Sequence, residues 1–107
     1  MQLQVALAKA KQSGRGVVVD FSAPWCGPCK KIAPDFHRLA QTWSHSIDFF
    51  TVNVDNAEEL VSHFDVRSVP VFLFFKDNKV IDTQKGADLK TLVEKVATLG
   101  TNVTNKP

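Results

Sequence analysis

Two cysteines, Cys26 and Cys29, are the residues of this chain best suited to chemistry, and Gly27 and Pro28 separate them. A pair at this spacing suits a reversible redox disulfide or half of a zinc site, and chance spacing is the third explanation. The pair does not make a disulfide scaffold, because small secreted frameworks use more cysteines. Its chemistry therefore depends on where the fold places it.

One acid, Asp20, interrupts an apolar run nine residues before Cys29. A carboxylate inside an apolar strand is costly when charged, so we expect the pKa of Asp20 to be raised. An acid of this kind below a dithiol can carry protons to and from Cys29 as that thiol becomes nucleophile or leaving group. A structural role, as a cap or an ion-pair partner, is equally consistent with its position.

The pattern around the cysteines predicts a buried strand followed by a helix. Residues 17–21 are a mostly β-branched run typical of a strand that is covered on both faces. From about Pro28 to Trp43 the apolar residues recur at helical spacing, and Pro34 is expected to kink this helix. Cys26 thus falls at a helix N-terminus, where free backbone N–H groups and a partial positive charge favour a thiolate.

A thiolate at Cys26 can attack a substrate disulfide, and Cys29 can then attack the Cys26 sulfur to release the reduced substrate. Gly27 allows the tight turn between them. Pro28 suits the first helical turn, where a missing N–H costs little. Trp25 is expected to cover one side of the pair.

Zinc is the main chemical alternative for the cysteines. A structural zinc site needs four ligands, and the remaining candidates are His37, His45 and His63. Their spacing from the cysteines does not match zinc-finger patterns, so histidines on the surface of helices are the simpler interpretation.

The remaining elements follow from periodicity and turn chemistry. Asp55 or Asn56 is expected to cap a short helix, Asp77 and Asn78 to form a hairpin turn, and Asp88 to cap the last helix. Helices are predicted near residues 3–10, 28–43, 58–64 and 89–99, and strands at 17–21, 47–54, 71–75 and 79–83. This order predicts an α/β fold with a mixed sheet, helices on both faces and an antiparallel closing hairpin. A polar tail follows at residues 100–107.

Length and composition set the broad class. The chain has 107 residues, 44% of them hydrophobic and 22% charged, which predicts a single domain over residues 1–107. The formal net charge of +2 is too small to favour a nucleic-acid or anionic-membrane partner. The sequence shows no membrane span and no basic, apolar leader, so we expect a cytoplasmic protein, or an organellar one if a leader has been removed.

The stretch VVVDFSAPWCGPCKKIAP, with WCGPC at its centre, resembles the thioredoxin family. The segments NVDNAEEL, SVPVFLFFKDNK and KGADLKTL resemble further parts of that family and occur in the family order, so the similarity covers about residues 16–99. The resemblance implies a thioredoxin fold with four to five strands and dithiol–disulfide exchange. It also implies protein substrates that contain disulfides, a thioredoxin reductase-like electron donor and no bound cofactor beyond the redox-active disulfide.

The resemblance also assigns roles to individual residues. It implies that Cys26 is the exposed nucleophile, Cys29 the resolving cysteine and Asp20 the buried acid. Pro70 matches the family's cis-proline, which faces the cysteines. The remaining residues of the substrate surface would be Trp25, Gly27, Pro28, Val69, Gly86 and Ala87.

The chain departs from the family pattern in four places. The residues before Asp20 are too few for the first strand and helix of the family, so that edge strand is expected to be absent, trimmed or reduced to residues 3–5. Thr51 replaces a lysine near the buried acid, which removes one influence that lowers the pKa of Asp20. Val71 replaces the threonine after the cis-proline, and Asn78 replaces a hairpin glycine, a change that positive φ at asparagine tolerates.

These observations predict a monomeric protein-disulfide reductase. The central Gly-Pro dipeptide favours reduction over oxidation, because Pro28 cannot place a charge beside the thiolate. The alternative is a thioredoxin-like binding domain of a larger protein or assembly, with secondary redox activity. The shortened start of the fold favours that alternative, as does a resemblance of residues 79–88 to domains fused to other proteins.

Overall fold

Four strands form one mixed sheet in residues 2–102, the part of the chain that the computed structural model describes. They are β1 (Gly16–Ser22), β2 (Ile47–Asn53), β3 (Val71–Lys76) and β4 (Lys79–Lys85). Their order across the sheet is β2-β1-β3-β4. The β1–β2 pair is parallel, whereas β3 runs antiparallel to both of its neighbours. The predicted mixed sheet with a closing hairpin is confirmed.

Helices cover both faces of this sheet, as predicted. They are α1 (Leu3–Gln12), α2 (Gly27–Thr42), α3 (Glu58–His63) and α4 (Leu89–Asn102), and a 3₁₀ turn occupies Val54–Asn56. Within the described residues no helix is both long enough and apolar enough to cross a bilayer. The predicted polar tail begins inside α4, and its residues 103–107 lie outside the described part of the chain.

Strand β1 divides its side chains between two cores, because successive residues of a strand point to opposite faces. Val17, Val19 and Phe21 pack with α1 and α3, while Val18 packs with α2 and α4. All four are at most 1% exposed. This burial on both faces explains the uninterrupted apolar run in the sequence.

The helical stripes are confirmed for α2 and only partly for α4. Ile32 and Phe36 of α2 are buried under the sheet, and the helix continues through Pro34. In α4 the buried residues are Leu92, Val96 and Leu99. The apolar residues at 89, 92, 93, 96 and 99 predict one buried stripe, but Leu89 and Val93 are 38% and 43% exposed, so the buried face of α4 is narrower than predicted.

The first strand of the family is absent from the described residues. Residues 3–5 are the start of α1 rather than a short strand, so β2 is an edge of the sheet. Arg15 holds this edge to the start of β1: its guanidinium donates to Asp48 Oδ1 at 3.0 Å and to the carbonyls of His45 and Ser44 at 2.9 and 2.6 Å.

The predicted cap of α3 is wrong. Neither Asp55 nor Asn56 caps this helix; its N-cap position is Ala57, which makes no side-chain hydrogen bond. The reason is the extra 3₁₀ turn, which Asn53 caps by accepting from the Asp55 N–H at 3.0 Å. The turn leaves the carboxylate of Asp55 free for another partner.

The two other predicted turn features are confirmed. Asp77 and Asn78 have φ of 52° and 64° and connect β3 to β4, so asparagine serves where the family uses glycine. Asp88 accepts from the Thr91 hydroxyl at 2.8 Å at the start of α4. The fourth strand continues two residues beyond its predicted end and stops at Lys85.

Candidate active site

Cys26 is the N-cap residue of α2 and lies four residues after Ser22, the end of β1. Cys26 and Cys29 are joined by a disulfide, with their Cα atoms 5.3 Å apart. Sγ of Cys26 also accepts a hydrogen bond from the backbone N–H of Cys29 at 3.1 Å. The pair therefore sits where free N–H groups of a helix meet a sulfur, as the sequence predicts.

The surroundings of the two sulfurs are apolar. Cys26 and Cys29 form a small cluster with Ala23, against which Val54 and Val69 pack. In this disulfide form Cys26 is only 5% exposed, hardly more than Cys29 at 3%. The expectation of an exposed Cys26 is thus wrong for the oxidised state, because the neighbouring side chains cover both residues.

Pro70 follows a cis peptide bond from Val69, the conformation that the family resemblance predicts. Val69 contacts the cysteine cluster, and Pro70 is fully buried. The carbonyl of Pro70 accepts from the N–H of Gly86 at 2.9 Å. Gly86 has a φ of +98°, a conformation that side chains disfavour, so glycine suits this turn. The structure thus places Val69, Pro70 and Gly86 close together, with Ala87 next along the chain.

Trp25 lies immediately before Cys26, and it is 68% exposed. Its indole N–H donates to both carboxylate oxygens of Asp55, at 3.1 and 3.2 Å. Gly27 and Pro28, at the tip of α2, are exposed as well. The sequence analysis considered Asp55 only as a helix cap and missed its contact with Trp25. The sequence feature that could have indicated this contact is the position of an acid just beyond a strand that runs parallel to β1.

Asp20 is the buried acid of the site. It is 3% exposed, and its Oδ1 has no hydrogen-bond partner within residues 2–102. It alternates with Val19 and Phe21 along β1, so it points to the face that α2 covers. Desolvation by burial raises the pKa of Asp20 from 3.8 to about 7, as expected. Thr51, directly opposite on β2, brings no charge that would oppose this shift.

Gln84 is a second residue that sequence reasoning missed. It is 5% exposed in β4, and its Nε2 donates to the carbonyls of Gly86 and Asp88 at 3.2 and 2.9 Å. The only sequence feature that points to a role for Gln84 is its position as a polar residue near the end of a strand. For the described residues, the three histidines and the acids form no cluster that would hold a metal with the cysteines.

A reversible cysteine pair at a strand-to-helix junction, with a cis-proline beside it and a buried acid on the adjoining strand, defines the site of a thiol–disulfide oxidoreductase. The comparisons with known proteins agree. The family model described as thioredoxin matches residues 4–98. The chain belongs to the thioredoxin family, whose members are oxidoreductases of protein disulfides.

Individual relatives support the assignment. Thioredoxin H4 of Arabidopsis thaliana is 41% identical over 92 residues, which are 86% of this chain and 77% of that protein. The X-ray structure of Fasciola hepatica thioredoxin superposes with a TM-score of 0.86 at 38% identity and covers 91% of this chain and 90% of the other. A peptide-N(4)-(N-acetyl-beta-glucosaminyl)asparagine amidase of Caenorhabditis briggsae is 34% identical over 90 residues, which are 84% of this chain but 15% of the amidase. With the cysteine pair in place, these similarities identify the chain as a dithiol–disulfide reductase.

Proposed function

We propose that the chain reduces disulfides in proteins with Cys26 as the attacking nucleophile and Cys29 as the resolving cysteine. The observation that carries this assignment is the position of Cys26 as N-cap of α2, with the Cys29 N–H directed at its sulfur. A donor aimed at Sγ stabilises a thiolate there when the pair is reduced. Cys29 lies in the first turn of the helix and is bonded to Cys26 through its sulfur, so it is placed to attack that sulfur in the second step.

The reaction proceeds in two exchanges. The Cys26 thiolate attacks one sulfur of the substrate disulfide, which breaks that bond, forms a mixed disulfide and releases one substrate thiolate. Cys29 then loses its proton and attacks the Cys26 sulfur, which forms the Cys26–Cys29 bond and releases the second substrate thiolate. Two electrons pass to the substrate, and its two thiolates take up two protons.

Asp20 is proposed to accept the proton of Cys29 in the second exchange. A carboxyl whose pKa is about 7 is partly ionised at neutral pH, so it can both take and return a proton. Its unpartnered Oδ1 leaves an acceptor position free. The missing partner favours this role, because a carboxylate with a purely structural role would be expected to have a hydrogen-bond partner.

The substrate surface is proposed to surround the cysteines. An extended segment of the substrate would pair with the backbone of Val69, beside Pro70, in the manner of an added strand. The exposed Trp25, Gly27 and Pro28 would contact it from the helix side, and Gly86 and Ala87 from the other.

The electron donor, the oligomeric state and the compartment of the chain are proposed to be those of the family. It would act as a monomeric, cytoplasmic single domain over residues 1–107, with no bound cofactor other than its own disulfide. A thioredoxin reductase-like enzyme would return it to the dithiol form. The cytoplasmic assignment is based on the similarity to Thioredoxin H4 of Arabidopsis thaliana.

The test is turnover of insulin disulfides by the wild type, first with dithiothreitol and then with NADPH and a thioredoxin reductase. Cys26→Ser should abolish turnover, and Lys30→Ala, an exposed change on the same helix, should leave it within about twofold. Insulin reduction that persists in Cys26→Ser would contradict the assignment of the nucleophile.

A second candidate is a binding domain of a larger protein, with secondary redox activity. The Caenorhabditis briggsae amidase favours it, because a similar domain there is a small part of a longer chain. Complementation separates the two functions: a double variant Cys26→Ser/Cys29→Ser that restores the cellular phenotype of a deletion would favour binding, and one that fails to restore it would favour reduction.

A further inference from the structure

Gln84 is a buried amide that none of the steps above uses. It lies in β4 opposite Phe72 of β3, at 5% exposure. Its side-chain amide reaches around the end of its own strand and donates one N–H to the Gly86 carbonyl at 3.2 Å and the other to the Asp88 carbonyl at 2.9 Å. One side chain therefore binds both ends of the turn that connects β4 to α4.

This turn is attached to the candidate site by a backbone hydrogen bond. The N–H of Gly86 donates to the Pro70 carbonyl at 2.9 Å. Ala87 packs against the core beneath α2 and α4, and the carbonyl of Asp88 also accepts the N–H of Leu92 in the first turn of α4. The position of Gly86 and Ala87 relative to Pro70 consequently depends on what holds the turn.

The chemistry at position 84 requires two donors. Both of its partners are carbonyl oxygens, which only accept, so the NH₂ group must face them. Oε1 is left buried without a partner within residues 2–102. An apolar side chain would avoid that unpaired acceptor, but it would leave the turn without both of its side-chain donors.

We propose that Gln84 is a positioning residue that fixes the Gly86–Asp88 turn beside Pro70 and thereby determines the affinity for protein disulfides. The inference rests on the proposed substrate surface. It adds Gln84 as the residue that holds the side of this surface formed by Gly86 and Ala87. The hydrogen bonds of the Gln84 side chain go to Gly86 and Asp88 rather than to a cysteine. Its loss should therefore weaken the binding of an extended protein segment and leave the intrinsic reactivity of the dithiol unchanged.

The test compares a protein disulfide with a small one. Gln84→Met keeps the length of the side chain and removes both donors, and Thr83→Val, on the exposed side of the same strand, is the matched control. For insulin we expect KM to rise about five- to tenfold in Gln84→Met with kcat within about twofold, the effect of losing roughly one hydrogen bond's worth of binding. Reduction of a small aromatic disulfide and the redox potential should equal those of the wild type.

A second measurement follows the turn itself. Amide hydrogen exchange at Gly86 should accelerate in Gln84→Met and stay unchanged in Thr83→Val, because the bond to Pro70 loosens. If Gln84→Met does not fold, Gln84→Val, whose branched side chain suits a strand, replaces it in the same comparison.

An unchanged KM for insulin would overturn the proposal, and so would equal losses on insulin and on the small disulfide, which indicate a general structural defect. Failure of the wild type to reduce insulin would instead contradict the proposed function. The two failures are distinguishable, since the first occurs in a protein whose wild type is active.

Discussion

The backbone N–H of Cys29 lies 3.1 Å from Sγ of Cys26, so the residue proposed to resolve the mixed disulfide also binds the sulfur of the nucleophile. The first turn of α2 thus serves both cysteines: the Cys29 N–H binds the Cys26 sulfur, and the turn brings the Cys29 side chain within bonding distance of Cys26. The buried Asp20 is the proposed proton acceptor of the second exchange.

Asp20 should make the stability of the protein depend on pH. Its pKa is raised from 3.8 to about 7 in the folded chain, so the folded state binds more protons than the unfolded state between these values. Stability should therefore fall as pH rises from about 4 to 7 and then level off, with a total loss on the order of 4 kcal/mol. Urea unfolding of the wild type and of Asp20→Asn over this range measures it, and the variant should lack this part of the dependence. Equal slopes in both proteins would rule out a raised pKa.

The same substitution should slow the second exchange. Asp20→Asn cannot accept the Cys29 proton, so we expect insulin turnover at pH 7 to fall about 100-fold or more, the lower end of what general acid–base catalysis contributes. Formation of the mixed disulfide by Cys26 should change much less. Rapid-quench measurement of both steps separates them; an Asp20→Asn protein that resolves its mixed disulfide at the wild-type rate would leave Asp20 a structural residue.

The Trp25–Asp55 hydrogen bond should matter for substrates more than for stability. It joins two exposed residues, so its loss in Asp55→Ala should cost about 1 kcal/mol of stability or less. Because Trp25 is proposed to contact the substrate, loss of the hydrogen bond that orients its indole should raise KM for insulin about two- to fivefold. Asp55→Asn, which keeps an acceptor oxygen, is the matched control and should remain close to wild type. Steady-state kinetics with insulin measures KM for both variants, and an equal rise in KM in the two would contradict this role.

A glycine far from the cysteines should resist a change that normally stabilises helices. Gly100 lies in α4, and a methyl group there would overlap the ring of Trp43. Gly100→Ala should therefore lower stability by about 1–3 kcal/mol through overpacking, despite the higher helix propensity of alanine. Gly27→Ala, where an added methyl meets nothing within 4 Å, should shift the denaturation midpoint little. A stabilised Gly100→Ala protein would show that the ring moves aside freely.

Some features of this fold were predictable from local pattern. The burial of β1 follows from its uninterrupted apolar residues, and α2 follows from the spacing that places Ile32 and Phe36 on one face. The raised pKa of Asp20 follows from the same burial. The strand-to-helix position of Cys26 needed only these two elements.

Other features depend on contacts that no local pattern shows. The cis bond before Pro70 came from family resemblance, because a proline at the start of a strand is ordinarily trans. Asp55 binds an indole 30 residues away, so its neighbours suggested a cap instead. Gln84 binds carbonyls in a turn whose shape depends on the glycine at 86. In each case the partner is set by tertiary packing rather than by sequence spacing.

The most direct test of the central claim is mass-spectrometric mapping of the complex that Cys29→Ser forms with a disulfide-containing protein such as insulin. We expect a stable one-to-one mixed disulfide through Cys26, released by dithiothreitol, and no such complex with Cys26→Ser. A complex that Cys26→Ser traps through Cys29, or the absence of any complex while the wild type reduces the same substrate, would contradict it.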